Sequence, residues 1–186
     1  MEQKNTILLE KLKDWLSKNH KSKDHLLAME KWIKVVYPLA DDALIIAAVA
    51  HDIERAFPLE EGEVKPERIE WDDKTYLTWH GQRSARFIES FLLNNDADPK
   101  LVEKVKNLVA NHDFGGDEEK IALRDADSIS FLENNADMYI DSLETGKTIE
   151  QIHDKFDIMY NRISSAKARE LAKRYYNDAI QKLEAI

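Results

Sequence analysis

His51 and Asp52 follow directly on Ala43–Ala50, a run without a single polar side chain. A helix apolar on every face is a buried helix, so its last turn is expected to carry an imidazole and a carboxylate into the interior. A buried carboxylate without a partner costs several kcal/mol or loses its charge. A divalent cation held jointly by His and Asp would compensate both groups. The chain has no cysteine. Disulfides, thiolate zinc sites, Cys nucleophiles and iron–sulfur clusters are therefore excluded, and any metal must bind through nitrogen and oxygen. A site of that kind suits Mn, Fe, Co, Ni or Mg, and affinity rank alone does not choose among them.

Helical spacing supplies further candidates. His25 shares a stripe with Met29, Trp32 and Val36, His80 with Ser84, Phe87 and Phe91, and His112 with Leu101, Val105 and Leu108. His153 also falls on an apolar stripe, with Ile149, Phe156 and Tyr160. Taken singly, each is ordinarily a hydrogen-bonded core residue. As a set they mean more, because separate core histidines would each need polar partners in an apolar setting, and one shared metal site satisfies them together. Among the acids, Asp127 lies with Leu123, Ser130 and Phe131, and Asp125 with Ile121, Ile129 and Leu132. Spacing does not choose between these two.

The elements that must position these groups read as helices throughout. Among 186 residues there are five Gly and four Pro, and no alternating Val/Ile/Thr runs occur. Helices are expected at about 6–19, 22–37, 40–57, 76–94, 99–111 and 118–133, with two closing helices from about 148 that part near Ser164-Ser165. Residues 58–73 hold two Pro and a Gly, show no period and read as a long surface loop. The chain is expected to form a single domain over 1–186, with its core at about 22–135 and its closing helices at about 148–185. Its start lacks the features of a signal peptide, and its longest apolar run is too short to span a bilayer, so a cytoplasmic location is expected. A net charge of −9, from 27 basic and 36 acidic residues, argues against broad nucleic-acid or membrane binding. A small phosphate ligand met by a few local cations remains open.

The ordered set His25, His51-Asp52 and Asp127 in the segment LRDADSISF resembles the HD-domain superfamily of metal-dependent phosphohydrolases. HKSKDHLLAMEKW is similar to that superfamily's entry helix, whose later histidine is the ligand, which implies His25 with His20 as bystander. DADSISF favours Asp127 over Asp125 as the last ligand. WHGQRSARFIESFL and LVEKVKNLVANHD resemble the segments whose histidines bind a second metal in some members, which implies His80 and His112. ISSAKARELAKRYYNDAI is similar to the closing helices of small bacterial members. Two departures stand out: Glu54 replaces the Gly of cyclic-dinucleotide phosphodiesterases, and Arg55 and Ala56 stand where alarmone hydrolases carry Glu-Asp.

The resemblance implies an all-α, HD-domain-like bundle of about seven or eight helices with a metal site in its core and one or two divalent ions. The expected activity is hydrolysis of a phosphate ester or anhydride, first of all of a nucleotide, by a metal-activated water. Asp52, Glu54 and Arg55 are the candidate catalytic residues, Glu54 as general base or as partner to a ligand. Arg55 and Arg83 lie one turn beyond His51 and His80 and could face the site, although a solvated surface Arg is the equal alternative for each. Lys155, Arg162 and Lys167 are candidate phosphate-binding residues by resemblance. Two other readings are a sensor that binds a nucleotide without cleaving it, and a di-iron oxygenase of the inositol-oxygenase branch. The expected partner is a small phosphorylated substrate, and a homodimer is compatible with it.

Overall fold

A computed structural model describes residues 2–186 and is all-helical. The described residues form nine α-helices: α1 (Glu2–Asn19), α2 (Lys23–Val36), α3 (Asp42–Ala50), α4 (Lys74–Leu93), α5 (Pro99–Ala110), α6 (Glu118–Asn134), α7 (Ala136–Asp141), α8 (Ile149–Asn161) and α9 (Ala166–Glu184). Short 3₁₀ turns at Ile53–Ala56 and Ser142–Thr145 follow α3 and α7. None of these helices is long and apolar enough to cross a membrane.

Local signals in the sequence start most of these helices. Side chains of Asp41, Asp73, Asp98, Asp117 and Ser165 accept from backbone N–H groups that would otherwise be unsatisfied in the first turn. Thr148 and Gln151 form a reciprocal capping box at the start of α8. Pro99 occupies the first turn of α5, where its missing N–H is harmless.

Every residue of α3 from Ala43 to Ala50 is buried. The helix packs against α1, α2, α5 and α6. It ends with its apolar run, short of the helix to about residue 57 that the sequence suggests. His51 caps it, Asp52 leaves the helix (φ −104°, ψ 12°), and the chain turns into the 3₁₀ segment. That turn lets two consecutive residues aim into the same interior space, which a continuous helix would not do, because neighbours there point about 100° apart.

α4 and α5 approach closely at Gly81, where an added Cβ would lie 2.6 Å from the Ala110 carbonyl oxygen. Alanine would gain about 1 kcal/mol in helix propensity but would force the two backbones apart. Gly81→Ala is therefore expected to destabilise by about 1–3 kcal/mol net, read as a lower urea midpoint with unchanged m-value. The strain falls between His80 and His112, whose rings are 5.2 Å apart.

Candidate metal centre

Two residues of the centre sit just past helix C-termini, where carbonyls lack intrahelical partners. A carbonyl only accepts, so His51 Nδ1–H donates to Ala48 O (2.9 Å) and His112 Nδ1–H donates to Val109 O (2.7 Å). Each ring thereby completes its helix end and leaves Nε2 without a proton. His25, inside α2, reaches the same state by another route. The Ser130 hydroxyl gives its one hydrogen to the His25 carbonyl (2.8 Å), so its oxygen accepts from His25 Nδ1–H (2.9 Å). In metal proteins the second ring nitrogen of a ligating histidine is held in this way.

The proton-free Nε2 atoms of His25 and His51 lie 3.3 Å apart, and Asp127 Oδ1 is 3.3 Å from each. With both rings neutral, these three acceptors repel one another unless a cation or a proton joins them. Donors bound at about 2.1 Å to one first-row ion and at right angles would be about 3 Å apart, so the spacing fits such an ion. Asp52 extends the cluster. Its Oδ1 is 2.8 Å from His80 Nε2, 3.8 Å from His51 Nε2 and 3.9 Å from His112 Nε2. Two buried groups, His25–His51–Asp52 and Asp52–His80–His112, could each hold a metal ion, and Asp52 is common to both.

The field in the cluster is strong. Burial opposes charge on His51, but Asp52 and Asp127 outweigh it and raise its pKa to about 9, so without a cation a proton on Nε2 takes that place and a bound metal ion has to displace it. Burial likewise pushes the Asp52 carboxyl up, yet Arg55, His51 and His80 hold it well below the ordinary carboxylate range. Asp127 is also held well below, by Arg162, His51 and His25 against its burial. Burial lowers the pKa of His112, and the neighbouring His51 and His80 add to the effect.

The remaining sequence candidates take distinct places. Glu54 Oε1 faces His80 Nδ1 (2.9 Å), and its Oε2 accepts from Arg83 Nη1, so both oxygens are engaged. Arg83 also bonds Glu63 (3.0 Å) and the carbonyls of Phe57 and Pro58, pinning the start of the loop rather than facing the cluster. Arg55 Nη1 pairs with Asp52 Oδ2 at 3.1 Å. Arg162 grips Asp127 and donates to Asp113 Oδ1 and Ser128 Oγ, both at 2.8 Å. Lys155 lines the same cavity. Lys167 lies outside it, exposed and donating to Val35 O (2.6 Å). His153 is half-exposed and 3.5 Å from Asp157.

Asp125 and Asp127 separate cleanly by partner. Asp125 accepts from the backbone N–H groups of Ser164 (2.8 Å) and Ser165 (2.9 Å), tying α6 to the entry of α9. Asp125→Ala would leave two N–H groups unpaired and is expected to cost about 2–4 kcal/mol without lowering metal content, read by thermal unfolding and elemental analysis.

Several residues of the site had no sequence candidate. Asp113 is half-buried with its side chain 8 % exposed, lies 3.2 Å from His112 Nε2, and forms with it a second His-Asp dipeptide that could have flagged it. His20 accepts from Ser22 N–H and donates through Nε2 to the Asp52 carbonyl (3.3 Å), holding the turn that aims Asp52. Arg68, Trp71 and Tyr139 complete the cavity wall. The cavity, about 190 Å³, opens among His25, Asp52, His112 and Asp127. A larger cleft of about 530 Å³ lies beyond Arg68 and Trp71, but none of the clustered histidines lines it, so the His/Asp cluster opens on the smaller space.

Residues 10–183 match the family model described as a domain of unknown function, DUF4202. The chain belongs to this family. No curated protein and no solved structure matches it. Within this DUF4202 domain the buried His/Asp groups come from α2, the α3 exit, α4, the α5 exit and α6, all inside the matched span.

Proposed function

We propose that this DUF4202 protein is a metal-dependent phosphohydrolase of the HD type, cleaving a phosphate ester or anhydride of a nucleotide. The observation that supports this reading is the meeting of three potential ligand atoms, His25 Nε2, His51 Nε2 and Asp127 Oδ1, each 3.3 Å from the others. His25, His51, Asp52 and Asp127 would hold one ion, and Asp52, His80 and His112 a second. When bound, such ions supply Lewis acidity toward a phosphoryl oxygen and lower the pKa of water.

The chain's own residues do the rest. Arg55, already on Asp52, faces the cavity where negative charge develops on the phosphoryl oxygens. Arg162 fixes the rotamers of Asp127 and Asp113 together. Glu54 orients the His80 ring, with Arg83 holding Glu54 in turn. Inorganic phosphate release from a nucleotide panel, with Mn²⁺, Co²⁺ or Ni²⁺ and elemental analysis of the purified chain, tests the reading. A chain that holds metal stoichiometrically and turns over nothing would overturn it.

The placement of Glu54 favours a second reading, because both its oxygens are held by His80 and Arg83 and it does not line the central cavity, so it is not aimed at a reacting water there. In that reading the pocket binds a nucleotide without cleaving it. Thermal stabilisation by a nucleotide that is recovered intact would support it, and consumption of the nucleotide would remove it.

A further inference from the structure

Three cations converge on the indole of Trp71. Lys147 Nζ lies 4.7 Å from the ring centroid, Arg68 Cζ 5.0 Å and Lys155 Nζ 5.5 Å. Two of them, Arg68 and Lys155, also line the cavity of the His/Asp cluster. They differ from every other cation there. Arg55 and Arg162 each grip carboxylates, whereas Arg68 donates only to two carbonyls of its own loop, Glu70 O and Trp71 O. Lys155 is 8 % exposed and makes no hydrogen bond or ion pair among the described residues; beyond Trp71 it meets only the Phe131 ring, at 5.0 Å.

A buried ammonium without a counter-ion is costly, and here the acids of an acidic chain stand close by without compensating it. Glu70 and Asp72 flank Trp71 in sequence, yet neither pairs with Arg68 or Lys155. Burial, with Arg162 and Arg68 adding to it against the pull of Asp113 and Asp127, lowers the pKa of Lys155 to about 7. Burial also lowers the pKa of Arg68, and Arg55 adds to the effect. Arg68 has one more property: it lines the central cavity, the 530 Å³ cleft and an aromatic cleft of about 400 Å³ with Tyr76 and Trp79. A ligand longer than the central cavity has to pass it.

We infer that Arg68 and Lys155 form an anion subsite beside the His/Asp centre that takes a second phosphate group, so that the ligand is a diphosphate or triphosphate and not a monophosphate. This rests on the phosphohydrolase reading for the first phosphate, which meets the His/Asp cluster and Arg55. The second phosphate supplies the negative charge that Arg68 and Lys155 lack, and its chain leaves the cavity past the Arg68 guanidinium.

The test is calorimetric titration of the full, metal-stripped chain with orthophosphate, pyrophosphate, tripolyphosphate and citrate. Pyrophosphate and tripolyphosphate are expected to bind at least about tenfold tighter than orthophosphate, as two charge-assisted contacts imply. Lys155→Met and Arg68→Gln should each erode that preference about tenfold. At pH 8 the wild-type chain should take up a proton on binding, seen as a dependence of the heat on buffer ionisation. That uptake should vanish in Lys155→Met and survive in Arg68→Gln. Equal affinity for orthophosphate and pyrophosphate, an unchanged preference in both variants, or citrate binding as tightly as tripolyphosphate would overturn the subsite. Metal content and phosphate release of the chain as purified, before stripping, separate the two readings. A metal-bearing chain that hydrolyses a monophosphate with no preference for pyrophosphate loses the subsite and keeps the hydrolase. A chain that binds pyrophosphate through Lys155 without metal or turnover does the reverse.

Discussion

Asp52→Asn should empty both halves of the centre at once, whereas His25→Ala should empty only one. Asp52 is the residue common to the two buried groups, and its Oδ1 reaches toward His51, His80 and His112. The Asn variant keeps the shape and one carbonyl oxygen but removes the charge that offsets a cation. Loss of a residue that merely orients a ligand costs 10- to 100-fold in metal affinity as a general magnitude, so loss of a shared carboxylate should exceed about 100-fold. The expected result is metal content below about a tenth of the wild-type level and phosphate release reduced about 1,000-fold or more. Elemental analysis and initial rates read both, and a circular-dichroism melt checks that the chain remains folded. Full metal content and turnover in Asp52→Asn would sink the shared role.

The sequence made much of this legible because the relevant physics is local. The polar-free run Ala43–Ala50 could only be an interior helix, and it is. Pro99, Asp117 and Ser165 marked helix starts by chemistry that acts within one turn. Period put His25, His80 and His112 on inward faces, and all three are buried, but it put His153 on an apolar stripe as well, and that residue is half-exposed. Less legible was the end of α3. The sequence suggests a helix through His51 and Asp52, but the stop after Ala50 depends on the His51 ring bonding Ala48 O and on His20 holding the Asp52 carbonyl from 32 residues away.

Tertiary partners account for the other differences. Nothing local distinguishes Asp125 from Asp127; what separates them is the position of Ser164 and Ser165, about 40 residues on. Arg83 lies one turn from His80 as expected, yet its guanidinium is drawn to Glu54, Glu63 and two loop carbonyls, none of which its own helix specifies. The loop at 58–73 has no period because no regular element underlies it. Its placement comes from single long-range contacts such as Trp71 Nε1–H to Gln151 O, 80 residues apart (2.9 Å). The short helix Ala136–Asp141 shows no pattern either, and depends on Tyr139 packing against Phe131 (4.9 Å) and Trp71 (5.9 Å). Those same segments carry Arg68, Trp71 and Tyr139, so the cavity wall was not legible in the sequence while the buried His/Asp cluster was.

Lys155→Met is expected to make the ligand-free chain more stable, by about 1–3 kcal/mol at neutral pH and below. The native pKa of Lys155 is about 7, well below the ordinary lysine value of 10.5. Between those two values the unfolded chain binds the proton more readily than the folded one, so stability rises with pH across that window. Below pH 7 both states are protonated, and the full cost of the buried charge, on the order of a few kcal/mol at about 1.4 kcal/mol per unit of pKa, weighs on the native state. Methionine has nearly the same length and fits between Trp71 and Phe131 without a charge to solvate. The gain over wild type should therefore be greatest below pH 7, shrink as pH rises and vanish near pH 10.5. At about 2–4 °C per kcal/mol for a chain of this size, thermal melts across pH 6–10 resolve it. A lysine kept at a stability cost points to a task that methionine cannot perform. Tripolyphosphate should accordingly raise the melting temperature of the wild type well above its effect on the variant, so that the order of stability reverses when the anion is present. A variant less stable than wild type at pH 6, in the absence of any anion, would show that Lys155 is compensated after all.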